Sequence, residues 1–383
     1  MHFLDYSING HDHPGLHGER IDDLRGRVQH AIAKGPLPSV QIALARDGKL
    51  VLFETLGEAD NNTRYNTFSC IKPLVASALW HLMGEGLIDI SQAVSHYIPE
   101  FADKGKGDVT VEQVLCHTAG FPRAPMGPPA WWTSAGRLQQ LRSWHLDWTP
   151  GSRMEYHPTS AHWVLASLID RIAGIDYRDY IQARIIEPLG LSGLRLGVPL
   201  AQQDNIAELR QVGEPPQAAE LEKLFGAAVE WPNTLDDSLL AFNDPEVRAL
   251  GVPGGGGVAT AADMALFYQA LIHNPDKLWH PDILADATGT VRVDLPDPIT
   301  GVPAHRGLGV VIAGDGREAA YRGMGSTVSA RAFGHQGVGG QVAWGDPDSG
   351  LSFCLLTNGL DANPLRSARF CAAANNRAGA CVG

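Results

Sequence analysis

The stretch FSCIKPLVASALW (68–80) decides how the chain is read, because a serine stands three residues ahead of a lysine just where an apolar helical pattern begins. At a helix start, residues three apart share a face, so the Lys72 amine can approach the Ser69 hydroxyl. Taken alone, the pattern reads as a helix cap with a solvated lysine behind it. It reads as a nucleophile with its base only if Lys72 sheds its proton, since an ammonium cannot accept one. Burial and neighbouring cations both lower a lysine pKa, and Phe68, Ile71, Pro73 and Leu74 form an apolar collar around this one. A helix N-terminus also offers backbone N–H groups and a positive dipole end to a developing oxyanion.

Upstream of this helix, ERIDDLRGRVQHAIA (19–33) places Ile21, Leu24, Val28 and Ile32 at helical spacing. VQIALARDGKLVLFETLG (40–57) reads as two strands joined at Asp47-Gly48. Residues 1–18 read as an irregular arm; His11, His13 and His17 within it share no helical or strand spacing and suggest no metal site. Downstream, VTVEQVLCHTAG (109–120) reads as a short helix closed by Gly120, followed by helices over about 159–173 and 176–187. The Pro/Glu/Gln-rich stretch 203–220 reads as a flexible insertion. A glycine loop (251–259) leads into a helix with Thr260 as its N-cap. Strand patterning returns in 305–313, 330–337 and 341–359, the last around an Asp-Pro-Asp-Ser-Gly turn. Strands, then helices, then strands fit an antiparallel sheet built from both chain ends, flanked by helices, with a mostly helical lobe inserted. The expected division is an α/β domain of residues 1–80 and 246–383, a helical domain of residues 81–245, and a cleft between them.

Composition narrows the function. The 383 residues carry a net charge of −12, with Lys and Arg scattered rather than clustered, which argues against nucleic acid as a partner. No apolar run reaches the roughly 18 residues of a membrane span. The first twenty residues lack a basic region followed by an apolar one, so a soluble cytoplasmic protein is expected. Five cysteines (70, 116, 354, 371 and 381), with no C-x-x-C, suggest neither a disulfide framework nor a zinc site. No metal or cofactor is expected: the GGGG run (254–257) lacks the lysine of a phosphate loop, and neither G-x-S-x-G nor H-E-x-x-H occurs.

Two further places could carry chemistry. Tyr156, in MEYHPTSAHW (154–163), sits in a loop before a long helix, where a tyrosine can serve as a general base or simply be buried with one hydrogen bond. His335, in FGHQGVGGQVAW (333–344), stands among glycines before a strand, which allow close substrate approach or merely form a tight turn.

Ser69-x-x-Lys72, Tyr156 and His335-Gln336-Gly337, in that order before a terminal hairpin, resemble the serine β-lactamase-like hydrolases. That group comprises class C β-lactamases, DD-peptidase-like penicillin-binding proteins and family VIII carboxylesterases. VEQVLCHTAGFP (111–122), EPLGLSG (187–193) and GGGGVATAADMALF (254–267) add to the resemblance, which covers about residues 19–360. It implies an acyl-Ser69 intermediate, with Lys72 sharing or taking the proton and Tyr156 relaying protons to the leaving group. It further implies an oxyanion hole from the Ser69 and Val338 N–H groups, with His335, Gln336 and Gly337 holding substrate. Trp131 and Trp132 are read either as walls of the acyl pocket or as packing within the helical lobe. The chain departs from the class C pattern twice. Tyr-x-Asn becomes Tyr156-His157-Pro158, losing the substrate-holding amide, and His335 replaces a lysine that would favour an anionic lactam. A histidine with a pKa of ~6.5 is mostly neutral at pH 7. The expectation is therefore a carboxylesterase for small esters. The alternatives are an amidase-type enzyme (D-amino-acid peptidase or weak β-lactamase), an acyltransferase, or a lapsed binding protein on the same fold.

Overall fold

The computed structural model describes residues 3–8, 13–225 and 237–382. Its main sheet has seven strands: β1 (Asp5–Ile8), β2 (Ser39–Arg46), β3 (Lys49–Gly57), β4 (Val311–Ile312), β5 (Phe333–Gly337), β6 (Gln341–Asp346) and β7 (Leu351–Thr357). They lie in the order β1-β3-β2-β7-β6-β5-β4, antiparallel except where β1 runs parallel to β3. Asp47 and Gly48 both take positive φ (51° and 75°), the backbone that a two-residue hairpin between β2 and β3 demands. β1 corrects the sequence reading: part of the expected arm is an edge strand, tied down where Tyr6 donates to the Asp263 carboxylate. His11 lies outside the described residues.

Side chains alternate across the sheet as the pleat requires. Ile42, Leu44, Phe353 and Leu355 point into one apolar core, closed by α1 (Gly18–Lys34) and α5 (Pro364–Gly379). Ala43, Ala45, Cys354 and Leu356 face the other way, where their small side chains admit α4 (Ala261–His273). α4 has Thr260 as its N-cap, as the sequence anticipates, and the Thr260 hydroxyl accepts from the Asp263 N–H in a capping box.

Helix α2 (Lys72–Gly84) runs through the second core and packs against α3 (Ser160–Ala173). Almost every residue from Lys72 to Leu82 is buried, because a helix that is apolar all round must be surrounded. The same core runs unbroken from Ala43 and Met264 beside the sheet to Trp80 in α2 and Trp163 in α3. The middle of the chain is mostly helical, but not wholly so. Arg195–Leu196 pairs with Gly257–Ala259, and Arg210–Val212 lies parallel to Gly359–Asp361. The stretch 203–220 is therefore not a loose insertion; it contributes one of these strands and starts the helix Ala218–Phe225. No helix among the described residues is long and apolar enough to cross a membrane.

Candidate active site

Ser69 is not a cap. It lies inside a 3₁₀ turn, Phe68–Ile71, that runs straight into α2. Phe68 holds φ at +43°, a left-handed conformation that a bulky residue adopts only under constraint from its surroundings. That constraint is visible: the Phe68 N–H donates to Asn66, Thr67 is bonded to Gly257 O, and the Phe68 ring packs edge-on against Phe242 at 5.4 Å. The Cys70 thiol donates to His335 O at 3.2 Å, tying the serine turn to β5. Cys70, without an explanation in the sequence, is this tie.

Lys72 is fully buried, and its amine meets three oxygens. Two are carbonyls, Pro158 O at 2.7 Å and Gly254 O, which accept its N–H bonds. The third is Ser69 Oγ at 3.1 Å. A neutral amine has two N–H groups and one lone pair, so with both carbonyls served the lone pair faces the serine hydroxyl. Burial, and next the Arg306 cation, hold Lys72 well below the usual lysine range. Gly254 permits the crowding: a Cβ there would stand 2.8 Å from Pro158 O and 3.4 Å from Nζ. The proline at the Tyr-x-Asn position thus keeps a function, through a carbonyl that needs no side chain.

Tyr156 donates its hydroxyl to Ser69 Oγ at 2.7 Å. Burial pushes its pKa up to about 12, so it stays protonated at neutral pH. Neutral histidines brace the loop that carries it. His157 Nε2 accepts from the Phe121 N–H, its Nδ1–H donates to Glu155 O, and its backbone N–H donates to His117 Nδ1. The His117 ring lies 5.0 Å from that of Tyr156. Burial is the first cause that pushes both histidines down, His157 to about 4. The histidine of the 117–120 segment, noted in the sequence only as part of a motif, is thus a support for Tyr156.

His335 faces the same centre from β5, its ring 5.7 Å from that of Tyr156. Its Nδ1–H donates to Gln336 O at 2.6 Å, leaving Nε2 to accept from an Arg306 N–H at 3.4 Å. Burial, then Arg306, keep it well below the usual histidine range and hence neutral. Gly337 lets the strand end press against the serine turn, since a Cβ there would meet Thr67 O at 2.7 Å. Val338 follows immediately and lines the cleft with Gln336 and Gly337.

Arg306 was not singled out in the sequence. It is 7 % exposed, its guanidinium lies 5.5 Å from the Tyr156 ring centroid, and no carboxylate comes within ion-pairing distance among the described residues. The run 305–313 reads as one strand, whereas only Val311–Ile312 joins the sheet, and Arg306 makes isolated bridges with Val293 and with Val311. A lone arginine amid an apolar, glycine-rich run was the available signal.

Of the two readings of Trp131 and Trp132, the structure contradicts the pocket wall. Neither lines the cleft: they form a short turn before the helix Ser134–Ser143, where Trp131 O accepts from Arg137 and Arg137 pairs with Asp170 of α3. Their rings meet edge-on at 5.6 Å; Trp131 packs on the helical core, while Trp132 is exposed. Among the described residues, no group of His, Cys, Asp and Glu is arranged to hold a metal.

Ser69, Lys72, Tyr156, His335 and Arg306 converge on one cleft of about 540 Å³. Its fold and geometry are those of a serine hydrolase whose hydroxyl stands against a buried lysine amine. The family model described as Beta-lactamase matches residues 24–375, and the chain belongs to that family. It is 27% identical over 317 residues to the esterase/beta-lactamase LipL of Mycobacterium tuberculosis, covering 76% of this chain and 68% of that protein. It is also 27% identical over 389 residues to a putative D-alanyl-D-alanine carboxypeptidase of Salmonella heidelberg, covering 91% and 84%. The crystal structure of a penicillin-binding protein homolog from Caulobacter crescentus superimposes with a TM-score of 0.74 at 27% identity, covering 94% of this chain and 98% of that one.

Proposed function

We propose that this hydrolase is a carboxylesterase that works through an acyl-Ser69 intermediate. The observation that carries the reading is position 158. Pro158 has no side-chain amide, and its carbonyl is already engaged by Lys72, so an amide or lactam substrate finds no partner there. An ester needs only a nucleophile, a base and an oxyanion hole.

In the proposed reaction Ser69 Oγ attacks the ester carbonyl and its proton passes to the Lys72 amine. The directions of the two pKa shifts favour Lys72 as the base and Tyr156 as the proton donor. The carbonyl oxygen, now negative, is received by the Ser69 and Val338 N–H groups. As the C–O bond breaks, Tyr156 gives its proton to the departing alcohol and is reprotonated from Lys72. Water then adds to the acyl-serine by the reverse proton path, releasing the acid. Five buried free cysteines suit a reducing compartment such as the cytoplasm.

The test is turnover of p-nitrophenyl acetate and butyrate by the parent and by Ser69→Ala, with intact-mass detection of the acyl adduct. The expected result is an adduct on the parent and no turnover by the variant; full activity in Ser69→Ala would remove Ser69 as nucleophile. The second reading, a D-amino-acid peptidase, is favoured by the similarity over 91% of the chain to the Salmonella protein. Faster turnover of D-alanyl amides than of esters would establish it instead.

A further inference from the structure

The mouth of the cleft is built differently from its floor. Residues 293–306 form a hairpin, bridged at Val293–Arg306 and Pro296–Pro303, that stands over the site. Its tip closes on itself: the Asp297 carboxylate accepts from the Ile299 and Thr300 N–H groups, and Asp297 O accepts from Gly301 N–H. The backbone therefore holds its shape without help from the Ile299 side chain, and a polar residue would serve the turn as well. Yet Ile299 is 85 % exposed, the most exposed large apolar side chain among the described residues. The second is Tyr321, at 61 %, and it lines the same cleft, as does the exposed Val338. Single exposed apolar residues need no explanation, but a cluster around a catalytic mouth marks a binding surface. The cleft, at about 540 Å³, is also far larger than a two-carbon acyl group requires.

We propose that the preferred ester carries a medium-length aliphatic chain, which lies against an apolar wall made by Ile299, Val302, Tyr321 and Val338. The proposal rests on the esterase reading and adds the substrate class to it. The chain's net charge of −12 disfavours an anionic lipid surface as the occupant of this mouth. A chain laid on the wall shields Ile299 and Tyr321 from water, a gain that exists only while substrate is bound. Each methylene so covered raises kcat/KM by roughly two- to fourfold until the wall is filled.

The test uses two series below their critical micelle concentrations. One is p-nitrophenyl esters from acetate to dodecanoate; the other is alkyl acetates from ethyl to octyl. We expect kcat/KM to climb with chain length in at least one series. The octanoate-to-acetate (or octyl-to-ethyl) ratio falls roughly tenfold in Ile299→Ser and further in Ile299→Ser/Tyr321→Ser, while Ile299→Leu restores it. A flat profile in both series, or a ratio unchanged by these variants, overturns the proposal while leaving the esterase reading standing. A rise seen only above the micelle concentration, together with binding to phosphatidylcholine vesicles, assigns the surface to a lipid interface and overturns it also. If no ester of either series is turned over, the esterase reading fails and the proposal falls with it.

Discussion

Lys72 and Lys106 both lie fully buried, and both spend their amine on backbone carbonyls. Lys106 Nζ donates to Asp103 O and Trp144 O, joining the turn Pro99–Gly105 to the end of the helix Ser134–Ser143. Burial lowers its pKa to about 8, and the nearby Asp103 carboxylate works against the shift. Lys72 is lowered too, by burial first and then by a neighbour of the opposite kind, the cation Arg306. Only Lys72 has a hydroxyl within reach. Burial and carbonyl contacts are therefore not marks of a catalytic base; the sign of the neighbouring charge and a nucleophile at hydrogen-bond distance distinguish the two.

The sharpest way to break this comparison is to replace each lysine by methionine. Lys72→Met is expected to lower kcat/KM for p-nitrophenyl butyrate roughly 10³-fold, whereas Lys106→Met stays within a few-fold of the parent once folded protein is counted. Equal losses in kcat would mean that the two lysines do the same work.

Gly254→Ala comes next, at roughly ten- to a hundredfold in kcat, since its methyl would force apart the two carbonyls that aim the Lys72 lone pair. A crystal structure of the variant should show Nζ displaced from Ser69 Oγ. An unchanged kcat would show that the carbonyl cage does not aim the amine.

Arg306→Gln separates charge from shape. Without the cation the Lys72 amine is more basic, so the acidic limb of the kcat/KM–pH profile moves to higher pH, with a several-fold loss at neutral pH. A limb that stays in place would clear Arg306 of any influence on the base.

The smallest effect is on stability. Burial lowers the folded pKa of Lys106 to about 8 from the ordinary lysine value of 10.5. Between those values the unfolded chain holds the extra proton, so stability contributed at this site rises with pH through that window. Denaturant titrations of parent and Lys106→Met at several pH values should show the rise in the parent alone.

Much of the framework could be read from local pattern. Asp47-Gly48 named its hairpin, Thr260 its helix N-cap, and the spacing of Ile21, Leu24 and Val28 the face of α1 that is buried. Helix α5 could not be read in the same way. Its stretch PLRSARFCAAANNRAG is polar over most of its surface, and its apolar stripe of Phe370, Ala374 and Ala378 acquires meaning only against α1. At the site, Ser69, Lys72, Tyr156 and His335 were legible because their order along the chain is distinctive. Arg306 reaches Tyr156 and His335 only through the hairpin Val293–Arg306, a contact between distant residues that no local spacing encodes. The tryptophan pair stays open between pocket and lobe in the sequence, because aromatic residues in either place look alike there.

The hairpin at the mouth draws its tip hydrogen bonds from its own residues and rests on the centre mainly at its base. The serine turn, by contrast, is locked to β5 through Cys70 and to the Gly257 strand through Thr67. Variation in residues 295–303 therefore leaves the reacting atoms undisturbed. A library randomised over that loop, with Arg306 kept, is expected to yield enzymes of shifted substrate choice and intact chemistry, so that the fold can acquire new specificities by exchanging one short segment.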